Sequence, residues 1–104
     1  MTRAEFATQL ETSGIPAFFD HAPIGTKCPF LVYTWDYDNF GADNKVYQRI
    51  ASVTVTHYHT EYTKGSELKA VFDGNDLFWN CDSAYDSDQK VYTDIYTMEV
   101  LADE

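Results

Sequence analysis

The sequence predicts an α+β fold: a single small domain built on a mainly antiparallel (mixed) sheet of about five strands with two helices, in the order α-β-β-β-α-β-β. Three observations carry this. A capped amphipathic helix opens the chain over Thr2 to Ser13. Two long strand-like segments, Phe30 to Trp35 and Lys45 to Thr60, then flank a polar loop over Asp36 to Asn44. After a second helical stretch, two further segments, Leu77 to Ala84 and Lys90 to Leu101, are joined by a turn rich in Asp and Ser.

The first helix has start and stop signals. Thr2 and Glu5 fit a capping box, in which hydroxyl and carboxylate satisfy opposing backbone donors. Phe6 and Leu10 form one apolar stripe with Ala7 beside them, Gly14 sits at a C-cap position, and Pro16 prevents continuation. Ala17 to His21 is a short strand candidate, and Ala22 to Lys27, with Pro23 and Gly25, reads as a loop.

Phe30 to Trp35 is continuously apolar, which predicts a strand covered on both faces. Lys45 to Thr60 alternates, but its parity slips. Val46 and Ile50 share one face, while Val53, Val55 and His57 share the other, so a bulge or bend is expected near Ala51. Thr63 to Gly74 reads as the second helix, with Leu68, Val71 and Phe72 at i, i+3, i+4 and Glu67 in the first turn. In the last strand Tyr92, Tyr96, Met98 and Val100 share one face, and Val91, Ile95 and Leu101 the other. Apolar residues on both faces predict a central strand, or one covered by another subunit.

The chain of 104 residues carries 17 Asp plus Glu against 7 Lys plus Arg, a formal net charge of −10. Such a chain lacks the cations needed to hold a phosphate backbone by counterion release, which disfavours specific nucleic-acid binding. Aromatic residues are abundant, with eight Tyr and seven Phe, more than the core of a small domain needs; a partner surface is expected to use the rest. Cys28 and Cys81 form no CxxC pair and are expected as free thiols. The N-terminal segment lacks the apolar core of a signal peptide, and no run is long enough for a transmembrane helix, so the expectation is a protein made in a reducing cytoplasm with no membrane partner.

Three polar constellations are candidate sites. His57 and His59 form an HxH pair that could bind zinc with His21 or an Asp as third ligand, against the plainer alternative of half-exposed strand histidines beside tyrosines, with His57 turned inward by parity at the core edge. Asp36, Asp38 and Asp43 with Asn39 and Asn44 crowd one segment, but position 47 is Tyr where a calcium loop needs Glu. Asp82, Asp86 and Asp88 fall in or beside a turn, not in the paired environments that acid/base chemistry needs. No nucleophile motif or phosphate loop is recognisable, so no catalytic, metal or cofactor site is predicted. Phe40, between Asn39 and Gly41, is an aromatic residue in a polar loop and is expected either to fold back on the sheet or to enter a neighbouring subunit.

Read together, several pieces resemble the small tail-terminator (tail completion, or head–tail connector) proteins of long-tailed bacteriophages and prophages. They are Ser13 to Pro16 followed by Asp20 and His21, Pro29 to Tyr33, the DNF-x-ADNKVY segment from Asp38 to Tyr47, Tyr62, and Lys90 to Val100. The DNF-x-ADNKVY piece is the most specific, and the second helix, within KGSELKAVFDGND, is shorter and less charged than is usual in that family. The resemblance implies a sheet with helices on one side and a homo-oligomeric, usually hexameric ring. Such a ring caps the tail tube, binds tail-tube and head-completion proteins in the virion, and lets the genome pass through a negative lumen. It also implies a subunit or tube contact at Asn39, Phe40, Ala42 and Asp43. The expectation is therefore a virion structural protein of the tail, assembled in a bacterial host cytoplasm and not an enzyme. The rivals are another head–tail joining or minor tail protein, an acidic DNA mimic that inhibits a host nuclease, and a small metal-dependent enzyme using His57 and His59.

Overall fold

The computed structural model describes residues 1–42, 45–61 and 65–102, with side chains for all of these except 38–42 and 45–49. Its elements are α1 (Arg3–Glu11), β1 (Ala17–Phe19), β2 (Phe30–Ala42), β3 (Lys45–His59), α2 (Ser66–Gly74), β4 (Trp79–Asp86) and β5 (Val91–Ala102). They follow the expected order α-β-β-β-α-β-β. The five strands form one mixed sheet in the order β1-β2-β3-β5-β4, with β1 parallel to β2 and every other pair antiparallel. This is the α+β architecture read from the sequence, and β5 is indeed central, between β3 and β4.

Local chemistry sets the helix ends. The Thr2 hydroxyl accepts from the Glu5 amide at 3.1 Å, and the Glu5 carboxylate accepts from the Thr2 amide at 3.0 Å, which closes the capping box. Gly14, at φ +80°, takes the left-handed conformation that lets the chain turn away after α1. The second helix is shorter than its sequence suggests, beginning at Ser66, and residues 62–64 lie outside the described chain. Between β4 and β5 the Asp86 carboxylate accepts from the amides of Asp88 and Gln89, at 2.9 and 3.2 Å, so these acidic residues build a turn.

Both helices lie on one face of the sheet. Phe6 of α1 packs on Tyr33 and Trp35, and Phe72 of α2 packs on Trp79 and Tyr96, with ring centroids 5.3 to 6.5 Å apart. Leu10, Leu31, Val53, Val55, Leu68, Met98 and Val100 complete the core. Burying each large apolar side chain contributes about 1.5–3 kcal/mol. The Asn75 amide donates to the Gln9 side chain at 3.2 Å and ties the two helices together.

The other face of the sheet has no helix over it among the described residues, which corrects the expectation for β2. Leu31, Tyr33 and Trp35 are buried, but Phe30, Val32 and Thr34 on the opposite face are only partly covered. An unbroken apolar run therefore marks a strand here without marking two covered faces. Ile95 and Leu101 of β5 are exposed on this open side.

The central hairpin is longer than expected. Of the segment expected as a loop, Asp36 to Ala42 is strand, because β2 stays paired with β3 as far as Ala42–Lys45, and Asp43 and Asn44 lie outside the described residues. A hairpin ladder is held by backbone hydrogen bonds and tolerates polar side chains, so a polar run does not end the strand. The register shift also sits elsewhere than near Ala51. Pairing is continuous from Phe30–Tyr58 to Phe40–Gln48 and then steps to Gly41–Val46, leaving Tyr47 as the extra residue of a bulge. Moving the bulge to Tyr47 keeps Ala51, Val53, Val55, His57 and His59 on one buried face.

β5 flanks β3 only from Arg49 to His59, and β1 flanks β2 only from Leu31 to Tyr33. Past the Asn39–Arg49 pair, where β5 ends at Ala102, β2 and β3 continue as a two-stranded arm over residues 40–42 and 45–48. The molecule measures 51 × 25 × 22 Å with a radius of gyration of 14.9 Å, against about 13 Å for a compact domain of this size.

Candidate functional site

Two features stand out: the arm, and a buried polar cluster at the other end of the hairpin. Asn39 lies at the base of the arm and Phe40 and Ala42 on it, where only the backbone is described, and Asp43 lies outside the described residues. From Thr34 to Ala42 the outer edge of β2 pairs with no strand among the described residues, and neither does the outer edge of β4. Such edges offer rows of backbone donors and acceptors to another chain. Asp36 on β2 and Asp82 and Asp86 on β4 put carboxylates along both edges.

The cluster is assembled by sheet register. Ser83 of β4, Asp94 of β5 and His57 of β3 are successive partners across the sheet. His59 follows His57 on the same face, and the two imidazole rings lie 4.5 Å apart, centre to centre. His57, His59 and Asp94 are all buried, with exposures of 0%, 2% and 8%. The histidines are therefore not half-exposed, because the bulge at Tyr47 leaves the parity of β3 unbroken through His59. His21, the other residue considered as a third ligand, is exposed and pairs with Asp20 at 3.1 Å.

Hydrogen bonds fix the orientation of each group. His59 Nδ1 lies 2.7 Å from the Glu61 carbonyl and donates to it. His59 Nε2 lies 2.6 Å from Asp94 Oδ2, and the Ser83 hydroxyl donates to Asp94 Oδ1 at 2.7 Å. With the Nδ1 proton committed to the carbonyl, the His59–Asp94 contact is made through Nε2. Tyr92 stacks on His59, with centroids 5.5 Å apart and planes 15° apart, and covers the cluster.

Gly65, at the N-cap of α2, lies above. A β-carbon there would stand 3.1 Å from the Tyr96 hydroxyl and 3.8 Å from His57 Nδ1, and φ at Gly65 is +120°, so this position takes glycine for both space and conformation. The Tyr96 hydroxyl is buried beside Cys81. Burial, and then the neighbouring Cys81 and Asp94, push the Tyr96 phenol well above its ordinary range. Burial likewise raises Tyr33, against an opposing effect of Arg3.

One donor atom from each of His57, His59 and Asp94 lies within 4.8 Å of the other two. A cleft of about 430 Å³, lined by Ser83, Ala84, Tyr85, Tyr92 and Asp94, reaches the cluster from the β4 side. Sequence parity held the signal for this site, because Asp94 shares its face with Tyr92, Tyr96 and Met98. The partner register that sets Asp94 opposite His57 is a property of the folded sheet. Cys28 and Cys81 are both free thiols. No helix among the described residues is long and apolar enough to cross a membrane. No family model, no curated protein and no solved structure matches this chain.

Proposed function

We propose that this chain is a ring-forming virion assembly protein of the tail-terminator type, which caps a phage tail tube and joins it to the head without performing chemistry. The observation that carries this is the β2–β3 arm, a paired strand extension that outruns the rest of the sheet. An arm of this kind contributes little to its own subunit's core. Its stabilisation comes from a neighbour, and the open edges of β2 and β4 allow strand addition on both sides of a subunit. Contacts between two different edges are heterologous and close into a ring when the rotation allows. In this reading Asn39, Phe40, Ala42 and Asp43, from the DNF-x-ADNKVY segment whose resemblance suggests the contact, meet a neighbouring subunit or the tube. A net charge of −10 suits a lumen through which DNA slides without adhering.

Negative-stain electron microscopy of the purified protein, alone and mixed with tail tubes lacking their terminator, tests this. Rings with a central hole, or a cap on one end of the tubes, are expected. Monomers in both preparations, with bare tube ends, would overturn the proposal.

A further inference from the structure

The geometry points to a second property, independent of assembly: His57, His59 and Asp94 form a buried site for one divalent transition-metal ion of the zinc class, which staples β3 to β5 below the start of α2. Two imidazoles and a carboxylate are the donor set that zinc takes from proteins, and all three donor atoms lie within 4.8 Å of one another. Around a tetrahedral zinc, donor atoms sit ~3.3 Å apart, so the His59–Asp94 contact of 2.6 Å has to widen by roughly 0.7 Å to admit the ion.

The surrounding hydrogen bonds suit this use. The Glu61 carbonyl holds the Nδ1 proton of His59 and leaves Nε2 facing inward as the ligand nitrogen. The Ser83 hydroxyl holds Asp94 Oδ1 and leaves Oδ2 for the ion. Such outer partners fix the tautomer and the ligand orientation at metal sites. The ion takes the place of the proton now shared by His59 and Asp94, so that proton is released on binding. The cleft beside Ser83, Tyr92 and Asp94 supplies an entry path. A water entering from the cleft completes the coordination.

Titration of chelator-stripped protein with Co²⁺ and then Zn²⁺ tests the site. The expected result is a visible ligand-field band saturating at ~1 ion per chain, abolished by Zn²⁺, with a rise in melting temperature that EDTA reverses. Asp94→Asn and His57→Gln should each remove the band. Ser83→Ala, which leaves the three ligands in place, should weaken binding roughly 10–100-fold. His21→Ala should leave binding unchanged. The absence of both the band and the thermal shift in the wild-type protein overturns the proposal. So does a band that survives in Asp94→Asn or is lost in His21→Ala. If the ligand variants fail to fold, wild-type stoichiometry and the Ser83→Ala affinity still decide.

Discussion

Asp94 stands directly across the strand pair from His57, yet its hydrogen bond runs diagonally to His59, at 2.6 Å. Its second oxygen is held by Ser83 from the third strand of the row. A single carboxylate thus links β3, β5 and β4 inside the core. Asp94→Ala leaves the His59 imidazole buried against a void, and breaking a buried pair of this kind costs about 3–5 kcal/mol. Asp94→Asn keeps the shape and part of the hydrogen bonding and should cost less. Urea denaturation of the two variants checks the order.

Gly65 and Tyr96 form a second coupled pair. Gly65→Ala forces a side chain into a positive-φ position and against the Tyr96 hydroxyl, and is expected to lower stability by about 1–3 kcal/mol. Tyr96→Phe removes the hydroxyl but leaves the backbone conformation unchanged. The cost of Gly65→Ala should therefore be smaller in the Tyr96→Phe background, and a double-mutant cycle measures the difference. Equal costs in both backgrounds would mean that only the backbone matters.

Tyr33 and Tyr96 give the molecule an alkaline limit. Both phenols are raised above the ordinary value of 10.0 by burial. A group whose folded pKa exceeds its unfolded one contributes stability that is fully present below the unfolded value and is lost as pH rises toward the folded one. Stability should thus hold up to about pH 10 and fall above it. In a spectrophotometric titration, fewer than the eight tyrosines should ionise before unfolding. Ionisation of all eight in a still-folded protein would contradict the burial of Tyr33 and Tyr96.

Much of this was legible in the sequence wherever the signal is local. Thr2, Glu5, Phe6, Leu10 and Gly14 fix α1 within a few residues of one another, and the alternation of β5 identifies its buried face. Thr2→Ala should cost about 1 kcal/mol by removing the cap, as a thermal melt would show. Long-range features were less legible. Asp36, Asp38 and Asn39 have the composition of a loop, but they lie in a strand because β3 pairs with them. The site was half visible: His57 and His59 declare themselves as a pair, while Asp94 is 35 residues from His59 and meets it only through the β3–β5 register.

The acidic edges carry a further consequence for assembly. Strand addition between β2 and β4 of neighbouring subunits brings Asp36 toward Asp82 and Asp86, so association is opposed by repulsion that salt screens over about 8–10 Å. Assembly should therefore be stronger at high ionic strength, the reverse of an interface held by ion pairs. Sedimentation velocity across a salt series reads this directly.

The central claim, that the arm exists for a neighbouring copy or the tail tube, is tested most directly by sedimentation velocity with and without tail tubes. It compares the wild-type chain with a variant in which a short turn replaces the arm beyond Asn39 and Arg49. The account predicts that the wild type forms closed oligomers or co-sediments with the tubes, while the shortened chain remains a folded monomer that does neither. A shortened chain that assembles and binds tubes as well as the wild type would contradict it.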